Sequence, residues 1–286
     1  MIEFIILGDM GSGEQSQYDV AQAMKEKIKD KKIFICGLGD NIYECGVSSV
    51  DDEQFQTKFE IPYKDINIPF YMCLGNHDYG YSNKSLVPKK NAFNQIKYSR
   101  FSDKWYLPHN YYTFNESDEN TSISFFVFDT NLDMMSDEEI EKQKKEMIKN
   151  IKKSNSDWKI AYGHHTLRSI GGHGNAEENF ENFMKEIFQE APFDIYMCGH
   201  DHNKQVIQMK MDSSPLTLIV CGTGGKTYHK EVYLNNLDRK CKLECCSNNL
   251  GYGYVKVFKE NDNKILEIEL LDEKNNSEYI YRIKKI

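Results

Sequence analysis

The chain has 286 residues, 40% of them hydrophobic, a formal net charge of −8 and a sequence pI near 5.6. That length and apolar content support one large α/β domain or two small ones, and exclude a disordered or fibrous chain. No dense Lys/Arg block interleaved with aromatics occurs, so nucleic acid is not an expected partner. The longest apolar stretches, such as FFVF at 125–128, fall far short of the ~20 residues of a membrane-spanning helix.

The first apolar run, EFIILGD, opens the chain directly, with no charged segment and hydrophobic leader before it. KIFICGLGD, PFYMCLGNHD, SISFFVFDT, WKIAYGHH, FDIYMCGHDH and LTLIVCGTGG follow in order, each ending in glycine or a polar cluster. Continuous apolar runs of this length suit strands buried on both faces. Helical patterns fall between them, at about 16–30, 51–60, 89–101, 137–155 and 176–190. The fourth is clearest. Ser136 and Glu139 form a capping box, acids fill the first turn, and Ile140, Met147, Ile148 and Ile151 share one stripe. Residues 254–259, 264–271 and 279–284 alternate like closing antiparallel strands. No internal repeat or Pro/Gly/Ser linker interrupts the chain, so one domain over 1–286 is expected.

In folds of alternating strands and helices, ligands sit beyond the carboxyl ends of the strands. This sequence puts its polar clusters there: Asp9 in GDMG, Asp40 and Tyr43 in GDNIY, Asn76, His77 and Asp78 in GNHD, His164 and His165 in GHH, and His200 and His202 in GHDH. One such cluster is an ordinary loop. Five in register with the strand pattern converge on one rim. Carboxylates, imidazoles, a carboxamide and a phenol make a mixed O/N donor set that needs no thiolate, which argues for hard cations and against a zinc knot or iron–sulfur cluster. The donors outnumber the needs of one ion, and a carboxylate at a strand end, such as Asp40, could bridge two ions about 3.5–4 Å apart, as in two-metal hydrolases.

The ordered series GDMG, GDNIY, GNHD, GHH and GHDH resembles the metallophosphoesterase signature, and the tyrosine of GDNIY narrows the resemblance to the purple acid phosphatases, the small tartrate-resistant type in particular. The likeness extends through FQTKFE, YSRFSDKWYLPHNYYTF, FFVFDTN and CGHDHN, nearly the whole chain. It implies a four-layer α/β/β/α sandwich of mixed sheets. It also implies that Asp9, Tyr43 and His202 hold Fe(III), that Asn76, His164 and His200 hold a divalent ion (Fe(II), Zn or Mn), and that Asp40 bridges the two. His77 and His173, the latter in SIGGHGN, match histidines beside the substrate. The activity implied is hydrolysis of phosphomonoesters, of small molecules or phosphoproteins, by direct attack of a metal-bound hydroxide. His165 stands where many relatives carry tyrosine, Met10 where the family often has tryptophan, and Asp78, His165, His109 and His229 are expected outside the ligand set.

Four N-x-[ST] sequons, at Asn83, Asn115, Asn120 and Asn275, and four cysteines in polar segments, Cys45, Cys241, Cys245 and Cys246, lean toward a secreted or lumenal, vacuolar-type glycoprotein in which such cysteines could pair. Cys36, Cys73, Cys198 and Cys221 read as buried thiols. A monomer is expected. The alternative from another functional class is a catalytically weak interaction protein of the glideosome-associated type on the same fold. The filled ligand set favours the enzyme.

Overall fold

The computed structural model describes residues 1–29, 31–80, 88–211, 214–227 and 232–285. The first half comprises β1 (Ile2–Leu7), α1 (Gln15–Ile28), β2 (Phe34–Gly37), β3 (Phe70–Met72), α2 (Pro88–Tyr98), β4 (Trp105–Tyr106), β5 (Tyr112–Ser117) and β6 (Ser122–Val127). There follow α3 (Asp137–Lys153), β7 (Trp158–Tyr162), α4 (Glu178–Glu190), β8 (Ile195–Cys198), β9 (Lys204–Lys210), β10 (Pro215–Cys221) and β11 (Cys241–Ser247). The antiparallel run β12 (Gly251–Glu260), β13 (Asn263–Asp272) and β14 (Ser277–Lys285) ends the chain.

Two seven-stranded mixed sheets result, ordered β14-β13-β12-β1-β2-β3-β4 and β11-β9-β10-β8-β7-β6-β5. Because side chains alternate across a strand, each central strand feeds two cores. In β1, Phe4 and Ile6 enter the core between the sheets with Phe34, Phe125, Ile160 and Ile219. Ile5 and Leu7 face the other way, onto Val20 and Met24 of α1. On the far side, Phe126, Ala161, Tyr196 and Leu218 pack with Met147 and Ile151 of α3 and Phe183 and Ile187 of α4. This is the expected four-layer α/β/β/α sandwich, and double-sided burial is why its inner strands read as unbroken apolar runs.

Strands β1, β2 and β3 pair in parallel in one sheet, and β6, β7, β8 and β10 do so in the other. Their carboxyl ends therefore share one rim. Tyr162 Oη donates to the Tyr71 carbonyl at 2.9 Å and Gly8 N to the Cys221 carbonyl at 2.9 Å, both across the sheets. The rim is thus fixed from both halves. The α3 capping box is present, with Ser136 N donating to Glu139 Oε2 at 2.7 Å and Glu139 N to Ser136 Oγ at 3.3 Å.

Three features differ from the sequence-based expectation. The 51–60 helix is regular only over Gln56–Glu60, as a wide π-type segment. The polar stretch holding Cys241, Cys245 and Cys246 is the edge strand β11, paired to β9, and these three cysteines are free thiols. Asn275 is no open glycosylation site. Its Nδ2 donates to the Ala23 carbonyl at 2.9 Å and its Oδ1 accepts from Tyr252 Oη at 2.5 Å. Asn115 and Asn120 are exposed, and Asn83 and His229 lie outside the described residues.

Candidate metal centre

The rim brings the predicted residues together. Asp9, Asp40 and His200 each follow a glycine at a strand end and take left-handed backbone angles, φ 56°, 51° and 70°, an unfavourable region for residues with a Cβ that a packed surrounding must maintain. The loops also approach too closely for side chains. A Cβ on Gly75 would sit 2.1 Å from Asp40 Oδ1, and one on Gly199 2.4 Å from Asp9 Oδ2. The glycines of GNHD and GHDH therefore make room for the carboxylates of the neighbouring loops.

Two groups of donor atoms face each other across the rim. In one, Tyr43 Oη is 2.8 Å from Asp9 Oδ1 and 3.1 Å from His202 Nε2, and His202 Nε2 is 3.2 Å from Asp9 Oδ1. In the other, His164 Nε2 is 3.1 Å from Asn76 Oδ1, 3.1 Å from His200 Nδ1 and 3.4 Å from Asp40 Oδ2. Oxygen and nitrogen donors bound to one ion at about 2.1 Å stand about 3.0 Å apart for octahedral and about 3.4 Å for tetrahedral angles. The three mutual distances of the first group, and the three from His164 Nε2 in the second, are close to that spacing. One ligand atom each from Asp9, Asp40 and His164 lies within 4.8 Å of the other two, so the groups adjoin.

Neighbouring groups orient these donors. His164 Nδ1 donates to the Leu38 carbonyl at 2.9 Å, which leaves the Nε2 lone pair for the centre. Asp9 Oδ2 accepts from His200 N at 2.8 Å, and Asp40 Oδ1 from His77 N at 2.9 Å. Asp78, absent from the centre, is fully buried and accepts from Gly75 N, Asn41 N, Ile42 N and Gln95 Nε2 at 2.8–3.1 Å. It clamps the GDNIY loop to the GNHD loop.

The model of the calcineurin-like phosphoesterases matches residues 2–204. The chain belongs to that family. It is 28% identical over 249 residues to rat tartrate-resistant acid phosphatase type 5, covering 78% of this chain and 72% of that one. It is 29% identical over 252 residues to purple acid phosphatase 4 of Arabidopsis thaliana, covering 79% and 69%. Among solved structures, the GAP50 anchor of the Plasmodium inner membrane complex aligns with TM-score 0.78 at 21% identity, over 99% of this chain and 88% of that one. Purple acid phosphatase PPD1 of yellow lupin aligns with TM-score 0.72 at 17% identity, over 99% and 53%. These two likenesses describe the fold.

As a calcineurin-like phosphoesterase the protein is a phosphoester-cleaving enzyme, and the electrostatics of its rim suit a metal site. Burial, then Asp40 and Asp9, push the Tyr43 phenol far above its ordinary value, so a phenolate forms there only beside a cation. Burial works against ionisation of Asp40, yet His164 and His77 hold it below the ordinary carboxylate value. Burial and the other rim histidines push His200 well down, leaving a neutral imidazole suited to a metal ion.

The two non-ligand histidines flank the donors. His77 Nδ1 is 2.6 Å from the Glu44 carbonyl, its Nε2 is 3.9 Å from Asp40 Oδ2, and its ring lies 4.5 Å from that of Tyr43. The His173 ring stacks on His200 at 4.0 Å, with its backbone N donating to Asp201 Oδ1 at 2.7 Å. Sequence reasoning passed over Asp201, which also accepts from Ser169 Oγ and so pins the 169–173 loop. Its position between two expected ligands was the available signal. Lys226 was missed too: its Nζ sits 3.7 Å from the Tyr43 ring centroid and 2.6 Å from Glu44 Oε1. His109 lies apart, against Tyr111, and Met10 is buried in the α1-side core.

Proposed function

We propose that the protein is an acid phosphatase of the purple type, with residues 1–286 acting as one domain. Asp9, Tyr43 and His202 would hold Fe(III), Asn76, His164 and His200 a divalent ion (iron, zinc or manganese), and Asp40 would bridge them. The observation that carries this reading is the spacing of the two donor groups, each matching one ion's coordination sphere. When bound, the two ions supply Lewis acidity and an acidified water for attack on phosphorus. Ions of that charge outweigh the three anionic donors by about two charges, so the rim attracts phosphate although the chain is acidic.

The chain's own residues position and protonate. The Glu44 carbonyl only accepts, so His77 Nδ1 carries a hydrogen toward it. Nε2 is then the atom that takes up and releases the mobile proton, next to the phosphoryl position, and His77 acts as general acid toward the leaving oxygen. His173, held over His200, is the second group in reach of substrate. A secreted or lumenal setting completes the reading, with exposed Asn115 and Asn120 as its support.

Fold likeness to the Plasmodium anchor does not favour an interaction role, because that fold is shared with purple acid phosphatase. The test is reconstitution with iron and zinc. Two metals per chain and a visible charge-transfer band, lost in Tyr43→Phe, are expected. Failure to take up metal, or a band that survives Tyr43→Phe, overturns the assignment.

A further inference from the structure

A cavity of about 270 Å³ opens beside the centre, lined in part by Asn76, Thr130, His165, Phe180 and His200. At ~30 Å³ of liquid volume per water, it has room for a leaving group the size of one monosaccharide. The hydrogen bonds around Thr130 determine what His165 presents to it. Thr130 Oγ1 accepts from His164 N at 3.2 Å and His165 N at 3.1 Å, and lies 2.7 Å from His165 Nδ1. A hydroxyl has two acceptor positions and one hydrogen. Both acceptor positions are occupied by backbone N–H groups, so the hydrogen goes to His165 Nδ1, which must be the lone-pair nitrogen. The ring hydrogen is therefore on Nε2, which has no hydrogen-bond partner among the described residues.

From this geometry we infer that His165 is a specificity-determining residue that donates from Nε2 to the leaving group of the bound ester, and that the preferred leaving groups are polyhydroxylated alcohols such as sugars. Asp133 and Glu177, both exposed, stand on the cavity lining. A sugar hydroxyl accepts from His165 and donates to these carboxylates, whereas a leaving group with a second phosphate meets like charge. The inference rests on the phosphatase reading and deepens it.

The test compares kcat/KM for glucose 6-phosphate and phenyl phosphate in the iron- and zinc-loaded wild type, His165→Phe and His165→Gln, with metal content measured for each. In His165→Phe the glucose 6-phosphate to phenyl phosphate ratio should fall between about twofold and tenfold, the worth of one neutral hydrogen bond. His165→Gln, whose amide both accepts from Thr130 and donates onward, should restore the ratio. Nitrogen-15 spectra of zinc-loaded protein should show Nδ1 of His165 without hydrogen. Equal losses on both substrates, a protonated Nδ1, or a wild type that cleaves phenyl phosphate but not glucose 6-phosphate would each overturn the inference and leave the phosphatase intact. A metal-loaded wild type that cleaves neither ester would overturn both.

Discussion

Replacing Asp78 by Asn should destabilise the fold strongly although only one oxygen becomes an amide nitrogen. Oδ1 of Asp78 receives Ile42 N and Gln95 Nε2, and Oδ2 receives Gly75 N and Asn41 Nδ2, while Asn41 N reaches both oxygens. Either orientation of the new carboxamide turns its NH2 toward two of these donors. Two buried donors lose their acceptor, at about 1–3 kcal/mol each, or roughly 4 kcal/mol together. A chain of this length has an unfolding entropy of about 0.6 kcal/mol per kelvin, so the melting temperature should drop by about 7 °C. Circular dichroism melts of matched, metal-free wild type and Asp78→Asn provide the assay. Iron and zinc uptake should weaken as well, because the clamped loops carry Asp40, Tyr43 and Asn76. A melting shift below about 1 °C would refute the clamp.

His77→Ala should lower turnover by about 100-fold, within the range of a lost general acid, with metal content retained; unchanged turnover removes His77 from the mechanism. Gly75→Ala would drive a Cβ into Asp40 Oδ1, so metal stoichiometry by elemental analysis should fall well below two per chain, and a variant that still loads both ions contradicts the close approach. Burial raises the thiols of Cys241 and Cys246 to about 11 and that of Cys245 to about 12. At pH 8 their thiolate fraction is about 10⁻³ or less, so iodoacetamide labelling should be slow and rise about tenfold per pH unit until the pH nears 11. Rapid labelling at pH 8 would contradict the burial. A mass lower by a pair of hydrogens in intact protein would reveal a disulfide instead.

The inner fold was legible because strands buried on both faces need unbroken apolar runs, and these ended where the ligand candidates begin. The edges were not. β5 is half-exposed along its length and carries Asn115, Glu116 and Ser117, so nothing in its composition separates it from a loop. β11 likewise reads as polar because it is held by β9 on one side alone, with a register shift between Leu243 and Cys245. Within the site, the motifs marked Asp9, Asp40, Asn76, His164 and His200 through the glycines before them. The supporting residues Asp201 and Lys226 come from contacts between distant loops, which spacing along the chain does not encode. His165 lay in plain view in GHH, but its tautomer depends on Thr130, which lies 35 residues earlier in the chain.

The central claim is that the converging donors form a binuclear hydrolytic site, and the most direct measurement is steady-state hydrolysis of p-nitrophenyl phosphate from pH 4 to 8 by wild type and Asp40→Asn, both loaded with iron and zinc. The account predicts an acid-pH maximum in the wild type that collapses in the variant. An inert wild type with both metals demonstrably bound, or a variant as active as wild type, would contradict it.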